Sequence, residues 1–186
     1  GHSAAGFAAG GLTKITTEIT NKTTAGVNES IVTAQNILIK AGTTIEKDTT
    51  ATASSGALGG SANDVSDNTT VSNQTYAEVG SGSKLTATDN DQGDNAIVII
   101  AESDNSYKGY ATAIAGAIIA KGVARAIQTV TDDVRVRISP STIIAQQGNI
   151  VIHASANDIT SNLTAYGGAG GVAAGTNVEA EAVTNA

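Results

Sequence analysis

NILIKA at Asn36–Ala41, AIVIIA at Ala96–Ala101 and NIVIHA at Asn149–Ala154 are three copies of one six-residue pattern, and the fold follows from how they recur. Ala41 to Ala101 is 60 positions, and Ala101 to Ala154 is 53. A second set precedes them in the same order: SIVTA ending at Ala34, SKLTA at Ala87 and STIIA at Ala145, with steps of 53 and 58. Two independent anchors recurring three times in one order mark a repeat architecture. Successive side chains of a strand point to opposite sides. One face therefore carries Ile37, Ile39 and Ala41, then Ile97, Ile99 and Ala101, then Ile150, Ile152 and Ala154, and these are expected to stack as inward columns.

Outward from the anchors, each copy continues into a polar stretch and then a Gly/Ala-rich one: SSGALGG (54–60), AIAGAIIAKG (113–122) and YGGAGGVAAG (166–175). The opening GFAAGG (6–11) matches the tail of a preceding copy, so the chain is expected to be one piece, 1–186, of a longer array. Val134, Val136 and Ile138 alternate with Arg135 and Arg137, as a half-exposed strand does. The other face of the anchors is apolar too, with Leu38, Val98 and Val151 beside Lys40, Ile100 and His153. A contiguous apolar strip calls for a cover, either a neighbouring loop or Gly/Ala segment, or a partner. The Ala-rich run from Ala111 to Val130 is compatible with an amphipathic helix as well as a strand, and its alignment with the other Gly/Ala segments favours strand. A repeat of 53 to 60 residues is expected to hold two or three coils with variable turns. Three repeats at the ~4.8 Å spacing of paired strands predict a rod on the order of 30 to 45 Å long.

Composition agrees. The chain is 40% hydrophobic with 21 Gly, one Phe, four Tyr and no Trp, Met or Cys, so its apolar volume is Ala, Val, Ile and a little Leu. Small and β-branched side chains suit stacked strands better than an irregular globular core. A net charge of −7 without a basic cluster argues against nucleic acid and anionic membranes. The absence of Cys excludes disulfides and thiolate chemistry. No stretch has the layout of a signal peptide, so an export signal is expected upstream. The most apolar run, Ala111 to Ile127, is broken by Lys121 and Arg125, so no membrane span is expected.

With its NIxIxA strands, its Gly/Ala segments and the run STIIAQQGNIVIHASANDI (141–159), the chain resembles the filamentous haemagglutinin-like and leukotoxin-type large bacterial adhesins. The resemblance lies in repeat grammar along the whole chain and carries no catalytic motif. It implies an all-β fold, a right-handed parallel β-helix with irregular coils. It also implies export through an outer-membrane secretion pore, display at the bacterial surface or secretion, and a receptor or glycan on a host or bacterial cell as partner. Family members range from adhesins to a cytotoxin. The repeats here are longer and more variable than the haemagglutinin pattern.

The chemistry-bearing residues are sparse. Asp89, Asp91 and Asp94 around Gly93 place closely spaced hard oxygens in a turn and form the candidate Ca²⁺ site, without the terminal Glu of an EF-hand loop. Otherwise no cofactor is expected. Polysaccharide-processing β-helices need carboxylates and a basic residue on one face, whereas Arg135 and Arg137, the only paired arginines, alternate with valines as a solvated strand face would. His2 and His153 are too far apart in sequence to argue for a catalytic pair. A non-enzymatic role is expected. Asn-x-Ser/Thr sequons at Asn21, Asn28, Asn68, Asn73 and Asn162 are candidate glycosylation sites, weighed against unmodified turn asparagines. The pairs Thr43/Thr44, Thr49/Thr50 and Thr69/Thr70 hold no fixed place in the repeat, as an ice-binding ladder would require.

Overall fold

The computed structural model describes residues 2–88 and 95–185. Among these there is no helix, and the Ala-rich run after Ala111 is strand. Nine strands form: β1 (His2–Val27), β2 (Ile31–Ala34), β3 (Ile37–Val79), β4 (Lys84–Ala87), β5 (Asn95–Gly116), β6 (Ile119–Ile138), β7 (Thr142–Ala145), β8 (Asn149–Gly170) and β9 (Ala173–Asn185). Every pairing between them is parallel.

Both anchors pair in register. Ala41 lies beside Ala101 and Ala101 beside Ala154, while Ala34, Ala87 and Ala145 align in a separate three-stranded sheet, β2-β4-β7. Strand β3 is continuous but works as two arms. Residues 37–56 pair with β5, residues 60–79 with β6, and the arms face each other through side chains on either side of the turn at Leu58. Thr75 Oγ1 donates to Thr43 Oγ1 at 2.9 Å, Lys47 Nζ donates to Asp67 Oδ2 at 3.0 Å, and Ser55 bonds Ser61. In the next layer β5 and β6 are the same two arms, turning at Ala117–Ile118. In the last, β8 and β9 turn at Gly171–Val172. Strand β1 lies beside the turn and return arm of β3. The result is a curled parallel sheet whose layers consist of a short strand, an outgoing arm and a returning arm.

One repeat is therefore one layer, and the expectation of two or three coils per repeat is corrected. Arms such as the 22-residue β5 span about 70 Å at ~3.3 Å per residue. Along the stacking direction the four layers advance only three steps of about 4.8 Å, well short of the expected rod.

Side-chain volume explains the cross-section. At the wide end, closed by the short strands, Ile37, Ile39, Val79, Leu85, Ile97 and Ile99 form the main core. Toward the turns the inward residues shrink to Ala51, Ala53, Ala111, Ala113, Ala124 and Ala126, which let the arms approach. Between these zones the interior is polar. Asn21 Nδ2 donates to Asn73 Oδ1 (2.8 Å), Asn73 Nδ2 to Asp132 Oδ1 (2.7 Å), and Asn105 Nδ2 to Asp132 Oδ2 (2.9 Å). Each layer's buried amide is satisfied by the next, so the column also fixes register.

The inward assignment of the anchors holds at Ile37, Ile39, Ile97 and Ile99, all buried. Ile150 and Ile152 share those columns but belong to the last described layer, whose outer edge is uncovered, and Ile152 is 51% exposed. Val134 and Val136 pack on the core, and Arg135 and Arg137 point outward. Of the strip opposite the anchors, Leu38 is 65% exposed, whereas Val98, Ile100 and Val151 are half-buried.

Gly171 and Gly82 show the two ways in which geometry requires glycine in this chain. A Cβ on Gly171 would lie 1.8 Å from the Ala117 carbonyl oxygen, where the stacked turns exchange bonds from Ala117 N–H to Gly170 O and from Ala173 N–H to Ile118 O. Gly82 has φ +73° with open space around it. Gly171→Ala is expected to cost about 2 to 3 kcal/mol through strain at the turn. Gly82→Ala is expected to cost about 1 kcal/mol, from backbone conformation alone. Urea titrations of the two variants check the order.

Tyr107 is fully buried beside Val71 and Val130, and its hydroxyl has no hydrogen-bond partner. Burial, reinforced by the nearby Asp132 charge, pushes its pKa up to about 12. A raised folded pKa means the neutral phenol's contribution is complete below the unfolded value near 10 and is lost as pH rises toward 12. Tyr107→Phe is expected to gain about 1 kcal/mol at neutral pH, by removing a buried unpaired hydroxyl. It should also flatten the loss of stability above pH ~10, measured as melting temperature against pH.

Candidate functional site

The residues singled out for chemistry do not converge. Asp89, Asp91 and Asp94 lie outside the described residues. Among the described residues no group of three or more His, Cys, Asp or Glu is placed to hold a metal ion. His153 is exposed on β8. Arg135 and Arg137 belong to an outward ion-pair cluster: Arg135 pairs with Asp133, Arg137 Nη1 with Glu78 Oε1 at 3.2 Å, and the Arg137 guanidinium stacks 3.7 Å over the Tyr76 ring. Tyr76 Oη donates to Asp133 Oδ2 at 2.7 Å, and that bond chiefly raises its pKa. This arrangement clamps neighbouring layers and leaves no basic side chain beside an unengaged carboxylate. The sequons divide: Asn21 and Asn73 are inward members of the amide column, whereas Asn28 and Asn162 are exposed. The threonine pairs make no ladder, since Thr43 points inward and bonds Thr23 and Thr75.

The surface feature that repeats layer by layer is the edge formed by the turns. Residues 3–13, 49–63, 109–120 and 159–178 contain no Asp, Glu, Lys or Arg. Pairing brings the turns of every layer together. The nearest charge is Lys121, exposed three positions past Ile118 and beside Ala62 and Gly175; Asp64, Lys14 and Glu179 follow farther along the return side, and Asp48 and Lys108 stand ten positions before the apex on the outgoing side. At the apex each layer presents one large apolar side chain. Phe7, Leu58, Ile118 and Val172 are 78%, 76%, 58% and 90% exposed. Register stacks them as a ridge: Gly6 and Ala8 pair with Ala57 and Gly60, Gly56 and Gly60 with Gly116 and Ile119, and Gly116 and Ile119 with Gly170 and Ala173. The Phe7 ring lies over Gly59, where a Cβ would come within 3.1 Å of it. Ile119 and Leu12, also exposed, flank the ridge.

The sequence reading missed this ridge. Its signal was present as one large apolar residue inside each Gly/Ala-rich segment, within an uncharged stretch, but only the fold-back reveals that these residues share an edge. A convex ridge of apolar side chains without charge can exclude water against another apolar surface, and it offers no group for acid–base or nucleophilic work. A comparison with family models, curated proteins and solved structures returns no match to the chain.

Proposed function

We propose that this chain is a structural and adhesive stalk segment of a large bacterial filamentous adhesin, displayed at the surface or secreted, with its layers wound as a right-handed parallel β-helix. The in-register pairing of both anchor sets across successive layers supports the reading. Parallel layers whose inward residues match column by column can be extended without changing the cross-section, as a stalk requires. Layer-by-layer repetition also presents corresponding outward positions in each layer, so weak contacts to a cell-surface receptor or glycan add as avidity. Catalysis is not part of this reading.

Saturable binding of the labelled chain to intact host cells, with lysis recorded in the same wells, tests it. Binding without lysis is expected, and the absence of saturable binding would remove the adhesive role. A second reading, as part of a leukotoxin-type cytotoxin, draws on the exposed Ile114, Ile118 and Ile119 within the Ala-rich run. Dye release from vesicles of host lipids distinguishes it, because a stalk segment leaves them intact.

A further inference from the structure

We propose that the apolar ridge is a self-association surface, on which a second copy of the chain docks edge to edge about a two-fold axis. Three observations commit the ridge to that occupant. The first is charge: with a net charge of −7, two copies repel wherever acidic surface meets, and the apical row carries no Asp, Glu, Lys or Arg, its nearest charge being the basic Lys121 three positions past Ile118. Along that row they can approach without that cost. The second is period. The apical side chains recur once per layer at the ~4.8 Å strand spacing, and a second copy carries a row of the same period, so knobs and gaps match along the full stack.

The third is volume. A two-fold axis perpendicular to the stack lays the rows antiparallel, whereas one along the stack would leave them parallel, and the volumes select the first. The end residues then meet as Phe7 against Val172, the largest against the smallest, and the middle ones as Leu58 against Ile118, two of equal size. Each opposed pair fills a similar space, which a parallel arrangement, Phe7 on Phe7 and Val172 on Val172, does not achieve. The contact is small for a protein interface, so the dimer of this chain is weak, and it gains strength with every added layer.

The chain has no cysteine, which makes the geometry directly testable. Leu58→Cys and Ile118→Cys variants, mixed and oxidised at high concentration, are expected to give predominantly the mixed 58–118 disulfide dimer over the 58–58 and 118–118 products. Sedimentation of the unmodified protein should shift from monomer toward dimer across the micromolar-to-millimolar range. Leu58→Ser/Ile118→Ser should stay monomeric with an unchanged circular-dichroism spectrum, and because the crosslinking uses single variants it stands even where that double variant folds poorly. A purely monomeric protein throughout overturns the proposal, as does a dominance of 58–58 and 118–118 products. Flotation of the protein with uncharged phosphatidylcholine vesicles, in the absence of dimer, would reassign the ridge to lipid.

Discussion

Ile99→Asp is expected to abolish cooperative folding or to cost upward of about 4 kcal/mol, the largest effect of any single substitution in the chain. Ile99 is fully buried in the middle described layer, in one column with Ile39 and Ile152. A carboxylate there is surrounded by the alanines, valines and isoleucines of the main core and has no hydrogen-bond donor to meet it. Each layer contacts only its neighbours, so the damage passes to both. Ile99→Val, which keeps the shape and loses one methylene, should cost only about 1 kcal/mol. Ile152→Asp, in the same column but half-exposed on the uncovered edge, is expected to cost far less than Ile99→Asp. Circular-dichroism melting of the three variants measures the order, and an unchanged melting temperature for Ile99→Asp would sink the inward assignment of the anchors.

The second large effect is expected at the buried pair between the arms. Lys47 and Asp67 are 3.0 Å apart, with side chains 4% and 1% exposed, and Thr49 adds a hydrogen bond to the carboxylate. The other oxygen, Asp67 Oδ1, has no partner. Lys47→Met strands a buried carboxylate and is expected to cost about 3 to 5 kcal/mol. Replacing both members, Lys47→Met with Asp67→Val, removes the desolvation of two ions and should restore the parent stability or exceed it by about 1 to 4 kcal/mol. Thr49 then keeps the Lys108 carbonyl, 3.4 Å away, as its acceptor. Chemical denaturation of the single and double variants gives the coupling energy directly. A double variant as unstable as Lys47→Met would mean that the pair is a net stabiliser.

The anchors were legible because their inward positions are Ile, Ile and Ala in every copy, so period-two alternation and repeat spacing coincide. The number of coils per repeat was not legible, and the arms show why. Along β5 the inward residues after Ala101 are Ser103, Asn105 and Tyr107, then small Ala111 and Ala113. Along the return arms they include Asp67, Asn73, Gln128 and Asp132. Polar groups inside and apolar ones such as Leu12, Leu58 and Ile114 outside erase the hydropathy contrast on which a sequence reading depends. The missed signal was a different, approximate symmetry, with Thr43 and Thr75, Lys47 and Asp67, and Ser55 and Ser61 falling at near-mirror positions centred on 59, 57 and 58. Arg137 points outward as its alternation with valines predicts, yet a charge reversal there is not expected to be silent, because its ion pair and its stacking on Tyr76 join two layers.

The register of the layers also governs how the chain reaches this state. Ala41 meets Ala101 only after 60 intervening steps, and Ala101 meets Ala154 after 53, so each new layer closes a long loop before any of its ladder forms. Closing a loop of that length costs about 3.5 kcal/mol in entropy beyond a constant term, and for the first pair of layers no template exists to repay it early. Later layers meet a finished edge, with its amide column and Ile–Ala columns already set, and can lay down residue after residue along an arm. Folding is thus a slow nucleation followed by templated addition. A chain delivered end-first from a narrow passage would be drawn forward by each completed layer, with refolding of the last one opposing its return.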